Sequence, residues 1–165
     1  MTLETLESEK QLVIFNLAAE AYAVDIGTVR EIIRMLEITK VPRTAKCVQG
    51  VINLQGRVIP VVDLRNLFGL SKEDATKDTR ILVVDISGQD IGVVVDAVNE
   101  VLRVPSNTVE PPSSLITTND SDFLTGIVKT ENRLIIFLDL ERTLADINTS
   151  AIVEKASQRL TPASS

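Results

Sequence analysis

An internal duplication constrains the fold of this chain more than any other feature of its sequence. Residues 50–64, GVINLQGRVIPVVDL, align without a gap to residues 126–140, GIVKTENRLIIFLDL, which lie 76 positions further on. The aliphatic positions of the two segments coincide, and so do spaced glycine, arginine and aspartate positions that an apolar strand does not require. The identical pairs are Gly50 and Gly126, Arg57 and Arg133, Asp63 and Asp139, and Leu64 and Leu140.

The segments upstream of these also match, at a spacing of 69 positions. The two spacings differ by seven residues, and a loop at residues 105–122, rich in Pro, Ser, Thr, Asn and Asp, has room for that difference. The chain therefore consists of two related halves. The upstream matches are Val24 with Val93, Val29 with Val98, Glu31 with Glu100, and Ile32 with Val101.

Each half contains short β-branched segments separated by turn residues, a pattern typical of antiparallel strands. The clearest hairpin is formed by residues 48–54 and 57–62, which turn at Gln55 and Gly56. Asp63 and Asp139 each precede a short helical pattern as N-cap residues. The other predicted strands are residues 11–17, 21–26, 36–41, 81–86, 91–95, 98–104, 124–129 and 133–138, with a helical turn or bent strand at 27–34 and a second helix at 139–147.

Five short strands do not make a stable open sheet with two exposed edges, so each half is predicted to close into a small barrel. The predicted fold is mainly β, with two tandem, intimately packed five-stranded barrels capped by short helices. The first barrel covers about residues 11–68, a polar linker residues 69–79, and the second barrel about residues 80–147. Together, residues 10–147 make one domain, between a disordered leader at residues 1–9 and a frayed tail at residues 148–165.

The absence of histidine limits the chemistry that the chain can perform. It removes Ser-His-Asp and Cys-His nucleophilic sites, most zinc sites and any phosphohistidine relay. The spacing of Gly50 and Gly56 does not fit a phosphate-binding loop, and no Lys-Ser/Thr follows them. Asp25, Asp85 and Asp96 follow strands and are explained as turn or edge residues rather than as a convergent acid/base or metal site. We therefore expect no catalysis, no cofactor and no metal.

Charge and composition favour protein partners. The net charge is −6 at pH 7, and the aromatic residues are four Phe, one Tyr and no Trp. A nucleic-acid-binding barrel, the alternative from another class, needs a basic groove and stacking aromatics. The single cysteine, Cys47, cannot form an internal disulfide and is explained as a small buried hydrophobe. Because no apolar run reaches about 20 residues and the N-terminus is unlike a signal peptide, a cytoplasmic location without membrane insertion is predicted.

Residues 50–68, GVINLQGRVIPVVDLRNLF, resemble the signature of the CheW-like domain, in which G-V-I-N-L-R-G is followed by a run such as I-P-V-V-D-L. Residues 23–33, 93–102 and 124–144 resemble their counterparts in the same family. The resemblance covers about residues 10–147 and rests on the combination of these segments. It implies two five-stranded, SH3-like barrels with a hydrophobic junction between them.

The resemblance also implies a non-catalytic coupling function in chemotaxis signal transduction. A scaffold of this family bridges the cytoplasmic tip of a methyl-accepting chemoreceptor and the regulatory domain of a CheA-type histidine kinase, and is recruited to receptor arrays at the membrane. The alternative is a paralogous CheW-like scaffold of a phototaxis, twitching or gliding pathway. Gln55 keeps this alternative open, because the family usually has arginine there and glutamine lacks its charge and bidentate fork.

Partner contacts are expected at the 53–57 hairpin tip and at aliphatic positions beside charged residues, where an exposed apolar strip would accept a receptor helix. Some of these positions also have a structural explanation. Asn53 and Gly56 suit a turn, and the equivalence of Arg57 and Arg133 favours a shared structural role. The candidate residues for binding the kinase or the receptor are Val29, Glu31, Ile32, Asn53, Gln55, Gly56, Arg57, Val95 and Val98.

Overall fold

A computed structural model describes residues 9–110, 124–130, 133–145, 147 and 149–160. The expected leader before residue 9, the loop after residue 110, the turn at 131–132 and the tail after residue 160 lie outside the described residues. The chain forms two curled, mainly antiparallel sheets that pack against each other, which confirms the predicted fold class. Across the described ranges, no helix is both long enough and apolar enough to cross a membrane.

The described residues form strands of two to nine residues and three α-helices. Two 3₁₀ turns, Ile26–Thr28 and Ser106–Thr108, precede the third and ninth strands. The strands are β1 (Glu9–Leu17), β2 (Glu20–Asp25), β3 (Val29–Arg34), β4 (Val48–Leu54), β5 (Arg57–Asp63), β6 (Arg80–Ile86), β7 (Gln89–Val95), β8 (Ala97–Pro105), β9 (Val109–Glu110), β10 (Leu124–Lys129) and β11 (Leu134–Leu138), and the helices are α1 (Leu64–Leu67), α2 (Leu140–Thr143) and α3 (Thr149–Leu160).

The two sheets have the same architecture. The first sheet has the strand order β8-β1-β2-β11-β10-β9, and the second has the order β3-β6-β7-β5-β4. Neighbouring strands are antiparallel, except that β2 pairs with β11 and β5 pairs with β7 in parallel. A bridge between Thr39 and Val51 gives the second sheet the counterpart of β9. It is also the only strand-like pairing in residues 36–41, where a full strand was predicted.

The strand registers reproduce both sequence spacings and confirm the duplication. Even the irregularities recur at equivalent places: the register shifts between Val48 and Gly50 in β4, and between Leu124 and Gly126 in β10. Residues that are equivalent in sequence therefore occupy equivalent places in the two sheets. Equivalent cross-strand pairs are Ile52–Ile59 and Val128–Ile135, Glu31–Val83 and Glu100–Ile14, and Val61–Gly92 and Phe137–Ala23.

The expected division into one barrel of residues 11–68 and another of residues 80–147 is wrong, because the two halves exchange their first hairpins. The β1–β2 hairpin completes the sheet made by β8, β9, β10 and β11, and the β6–β7 hairpin completes the sheet made by β3, β4 and β5. The 3₁₀ turn Ile26–Thr28 leads the chain from the first sheet to the second. Because the two hairpins are similar in sequence and pair with similar strands, the sequence pattern does not distinguish the two pairings.

Each sheet encloses an apolar cluster, and the two sheets share a larger cluster between them. Leu12 and Ile135 lie inside the first sheet, and their counterparts Ile81 and Ile59 lie inside the second. Strands such as β1 are buried on both faces, which explains their nearly continuous apolar sequence. The shared cluster is the expected hydrophobic junction, and it includes Val13, Phe15, Leu17, Val62, Leu82, Val84, Val93 and Leu138.

The helices agree with the sequence at their starts and differ at their ends. The carboxylates of Asp63 and Asp139 accept backbone N–H bonds at the starts of α1 and α2, so the predicted N-caps are confirmed. Helix α2 stops at Thr143 instead of reaching residue 147. The tail that was expected to fray forms α3, because Ile152 and Ala156 bury their side chains in the junction and hold the helix there.

Candidate partner-binding surface

The tip of the β4–β5 hairpin is a two-residue turn. Gln55 and Gly56 have φ of +53° and +86°, the left-handed conformation that a type I′ turn requires. The side-chain oxygen of Asn53 accepts a hydrogen bond from the N–H of Gly56 at 2.9 Å. Asn53 and Gly56 therefore build the turn, as their residue types suggested. Gln55 is exposed, and its side chain makes no hydrogen bond to the described residues.

A network of five charged side chains lies beside the tip. Arg57 binds Glu31 on β3, with Nη2 and Oε2 3.4 Å apart, and it also forms an ion pair with Asp90 on β7. Arg30 binds the same Asp90 at 2.7 Å and Asp85 at 3.1 Å. The two guanidinium groups and three carboxylates leave a small excess of negative charge. Since the arginines are half exposed, each pair stabilises the fold by about 0–1 kcal/mol, and the network mainly orients polar groups at the surface.

Part of this network is duplicated in the first sheet. Glu100 and Arg133, the repeat equivalents of Glu31 and Arg57, form an ion pair of 3.2 Å. The shared structural role predicted for the two arginines is therefore confirmed. Each pair connects an edge strand, β3 or β8, to an inner strand of the same sheet, β5 or the start of β11. The extension through Arg30 belongs to the second sheet alone, since its counterpart Asn99 donates a hydrogen bond to the side chain of Asn16 instead.

The aliphatic candidates divide by burial. Ile32 is 42% exposed beside Glu31 and offers apolar surface next to the charges. Val29 and Val98 are partly buried and pack against the junction between the sheets. Val95 is completely buried in that junction, so the prediction that it contacts a partner is wrong. The alternation of apolar residues in β7 and β8 does not indicate which positions the other sheet covers.

Sequence reasoning missed Arg30, Asp85 and Asp90 as members of this surface. Asp85 was explained as a turn residue, and its Oδ1 does accept the Gly88 N–H at 2.9 Å in the β6–β7 turn. The parallel pairing of β5 with β7 brings Asp90 to Arg57. That pairing follows from the hairpin exchange, so no local pattern could have revealed it.

A second group that the sequence did not reveal ties the two sheets together. The guanidinium of Arg65 on α1 donates to both carboxylate oxygens of Asp96, from Nε to Oδ1 at 2.9 Å and from Nη2 to Oδ2 at 2.5 Å. Asp96 also accepts the N–H of Ala18 at 2.8 Å, and its own N–H donates to the carbonyl of Asn16 at 3.0 Å. The pair thus connects α1, at the end of the second sheet, to the β1–β2 turn of the first. Asp96 is therefore more than the turn or edge residue that was expected.

Among the described residues, three ionisable groups have shifted pKa values. Burial alone would raise the pKa of Asp96, but hydrogen bonds from Arg65 and Ala18, together with the charge of Arg65, hold that pKa below its ordinary value. The hydrogen bonds to Asp96 raise the pKa of Arg65. Burial raises the pKa of the Cys47 thiol, which agrees with its explanation as a small hydrophobe. Among the described residues, no three His, Cys, Asp or Glu side chains are grouped to hold a metal ion.

Comparison with known proteins identifies a family model that matches residues 11–148, that of the CheW-like domain. The chain is 36% identical over 150 residues to the chemotaxis protein CheW of Thermotoga maritima, covering 88% of this chain and 95% of that protein. It is 37% identical over 142 residues to the chemotaxis protein CheW of Helicobacter pylori, covering 86% and 85%. Among solved structures, it resembles the scaffolding protein TtCheW from Thermoanaerobacter tengcongensis, with a TM-score of 0.76 and 44% identity over 82% of this chain and 87% of that one.

Proposed function

The chain belongs to the CheW-like domain family, and we propose that it is a non-catalytic coupling protein of a chemotaxis array. In this function, it bridges the cytoplasmic tips of methyl-accepting chemoreceptors to the regulatory domain of a CheA-type histidine kinase, and it reaches the membrane array from the cytoplasm. The observation that carries the proposal is the family match, which extends over both sheets and the junction. Relatives named for chemotaxis favour this function over a phototaxis, twitching or gliding pathway.

The geometry of the hairpin tip supports a binding role rather than a chemical one. Its carboxylates at Glu31, Asp85 and Asp90 are each paired with a guanidinium, so they do not form the proton-sharing pair that acid/base catalysis uses. Gln55 has an exposed side chain two residues before Arg57, and Ile32 has an exposed side chain one residue after Glu31. Polar groups around a modest apolar patch suit a protein interface that forms and dissociates. We assign the contact with the kinase or the receptor to this surface.

The experiment that tests the proposal is a titration of the purified chain with the kinase regulatory domain and the receptor tip of the same organism, alongside thermal melts. Gln55→Arg restores the arginine usual in the family, and we expect it to change the affinity or selectivity for a partner by about tenfold. The reason is that a charge-assisted bidentate contact exceeds a neutral one by about 1–2 kcal/mol. The melting temperature should stay nearly constant, because the Gln55 side chain makes no hydrogen bond in the described fold.

The duplication supplies a matched control for a second substitution. Glu31→Lys reverses a charge at the tip and should weaken partner binding, while the loss of its half-exposed pair with Arg57 costs about 1 kcal/mol or less. Glu100→Lys removes the equivalent pair with Arg133 in the other sheet and should leave that binding unchanged. If both substitutions weaken partner binding equally, or if neither does, the assignment of the binding site to the hairpin tip is refuted. A wild-type chain that binds neither partner would refute the coupling function.

A further inference from the structure

An open groove of about 440 Å³ lies at the end of the second sheet opposite the hairpin tip. It is formed where the segment before β4, the start of β4 and α1 meet. Gln49 in its wall lies near the start of β4, five residues before Leu54 at the hairpin end, which corresponds to about 17 Å at the rise of a strand. The groove is therefore separate from the surface assigned above. Its lining residues are Ile38, Lys40, Val41, Lys46, Val48, Gln49, Asp63, Asn66 and Lys72.

The groove lining carries a net positive charge, because it has three lysines and one carboxylate. Lys40, Lys46 and Lys72 are exposed, and none of them has an ion pair or hydrogen bond with another described residue. The single acidic lining residue, Asp63, already accepts the N–H of Arg65 at 2.9 Å as the cap of α1. By contrast, Arg30 and Arg57 beside the hairpin tip and Arg65 on α1 all form ion pairs. Three unpaired lysines around one groove are a notable concentration in a chain whose net charge is −6.

The floor of the groove is apolar. Val41 and Val48 are buried and belong to the junction cluster, and Ile38 is half buried against the cluster inside the second sheet. A carboxylate that binds these lysines would therefore have apolar side chains next to it. That combination matches an amphipathic segment with acidic residues on one side and aliphatic residues on the other.

We propose that this groove binds an acidic amphipathic segment of a partner protein, independently of the hairpin-tip surface. Complementary charge is what selects the occupant: carboxylates meet the lysines, and an aliphatic side chain covers Val41 and Val48. A nucleic acid fits less well, because its evenly charged backbone needs a longer basic track and stacking aromatics, and no aromatic residue lines the groove. The inference goes beyond the coupling function and does not depend on it.

The test uses a fluorescent helical peptide with glutamates on one face and leucines on the other, titrated into the full chain. A second peptide with glutamine in place of each glutamate controls for apolar adhesion. The variant Lys40→Gln/Lys46→Gln/Lys72→Gln should weaken binding of the acidic peptide by about tenfold or more, since three charge contacts are removed. Lys77→Gln is the matched control, because Lys77 is an exposed lysine outside the groove with no ion pair among the described residues. Added salt should weaken binding to the wild type.

Two further measurements separate this proposal from its rivals. Gln55→Arg should bind the acidic peptide as the wild type does, so a failure of the hairpin-tip assignment leaves this result untouched. Amide chemical shifts should move at Val48, Gln49 and Asn66 on peptide addition. The proposal is overturned if the wild type does not bind the acidic peptide, if the triple variant or the glutamine peptide binds equally well, or if a single-stranded oligonucleotide displaces the peptide from the same residues.

Discussion

Among the described residues, Arg65 is the only charged side chain that is buried, and its partner explains why. A buried guanidinium is stable only when its charge is matched and its N–H groups are bonded. Asp96 supplies the charge, and the carbonyl of Ser71 accepts a further bond from Nη1 at 2.8 Å. Through Ala18 and Asn16, the same carboxylate residue reaches the first sheet. One ion pair therefore helps to hold the two sheets in a fixed relation.

Replacing Asp96 with asparagine should destabilise the protein by about 1–3 kcal/mol at pH 7, because Arg65 keeps its buried charge without a counterion. The effect should depend on pH with a definite sign. Since the folded-state pKa of Asp96 is lowered, its contribution is fully present above the unfolded value of about 3.9 and is lost as the pH falls through the folded value. Urea unfolding of wild type and Asp96→Asn between pH 7 and pH 3 measures this difference in stability, which should shrink below about pH 4.

Asp74→Asn provides the control for this comparison, because Asp74 is exposed and makes no ion pair or hydrogen bond in the described fold. Its stability should follow that of the wild type at every pH. A constant difference between wild type and Asp96→Asn down to pH 3 would contradict the charge-based account. It would mean that packing and hydrogen bonding alone, without charge, explain how Asp96 stabilises the protein.

At the scale of single residues, the sequence predicted the local roles and missed the long-range ones. Asp63, Asp139 and Asn53 bond to backbone groups within three positions, so their residue type and place in the pattern were sufficient. Arg65 and Asp96 are separated by 31 positions and meet only because β7 lies in the same sheet as β5. No local signal encodes that meeting, and the same is true of Arg57 with Asp90.

At the scale of strands, the repeated glycines have a physical explanation. A side chain at Gly50 would place its Cβ 2.1 Å from the carbonyl oxygen of Thr39, and φ of Gly50 is +147°. The equivalent Gly126 would place a Cβ 2.4 Å from the carbonyl oxygen of Glu110. In both sheets, the neighbouring backbone crosses directly over the glycine. The duplicated glycine is thus required by the close approach of two backbones rather than by a turn.

Gly50→Ala should therefore destabilise the protein by about 3 kcal/mol or more, since the obstruction is backbone that cannot rotate away. Gly56→Ala is the informative comparison, because Gly56 also has positive φ but a Cβ added there would meet no atom within 4 Å. At Gly56, the only cost is the strain of a left-handed backbone at a residue with a Cβ. The expected loss in the free energy of unfolding is about 1–2 kcal/mol. Urea denaturation of both variants measures the difference. A loss at Gly50 no greater than at Gly56 would show that the backbone at Thr39 moves to make room.

The strands were predictable from the sequence where apolar and polar residues alternate clearly. The β4–β5 hairpin follows from alternation around Gln55 and Gly56, and its repeat follows from the duplication. Helix α3 was missed because residues 148–165 were judged by their small polar composition. Its stability comes from packing of Ile152 and Ala156 in the junction, and tertiary packing of this kind overrides weak propensity.

At the scale of the whole molecule, the duplication is the origin of both the successful and the failed predictions. Two similar halves correctly indicated two similar sheets, and the offsets of 69 and 76 positions match the observed registers. They could not indicate that β1–β2 and β6–β7 are exchanged, because the two hairpins have similar sequences and the observed pairing depends on contacts between distant parts of the chain. The consequence of the exchange is that neither half of the chain contains a complete sheet.

A chain cut in the linker between Asp74 and Ala75 should therefore behave differently from two independent domains. The fragment of residues 1–74 holds β1–β2 of one sheet and β3–β5 of the other, so alone it has unpaired strand edges and half a junction. We expect each separately expressed fragment to be unfolded or to assemble as a homodimer that exchanges hairpins, and an equimolar mixture to recover the circular dichroism of the intact chain. Sedimentation and thermal melts distinguish these states. A chain cleaved at the same place after folding should stay folded, because the exchanged hairpins still hold the halves together. A monomeric 1–74 fragment that unfolds cooperatively would contradict the exchange.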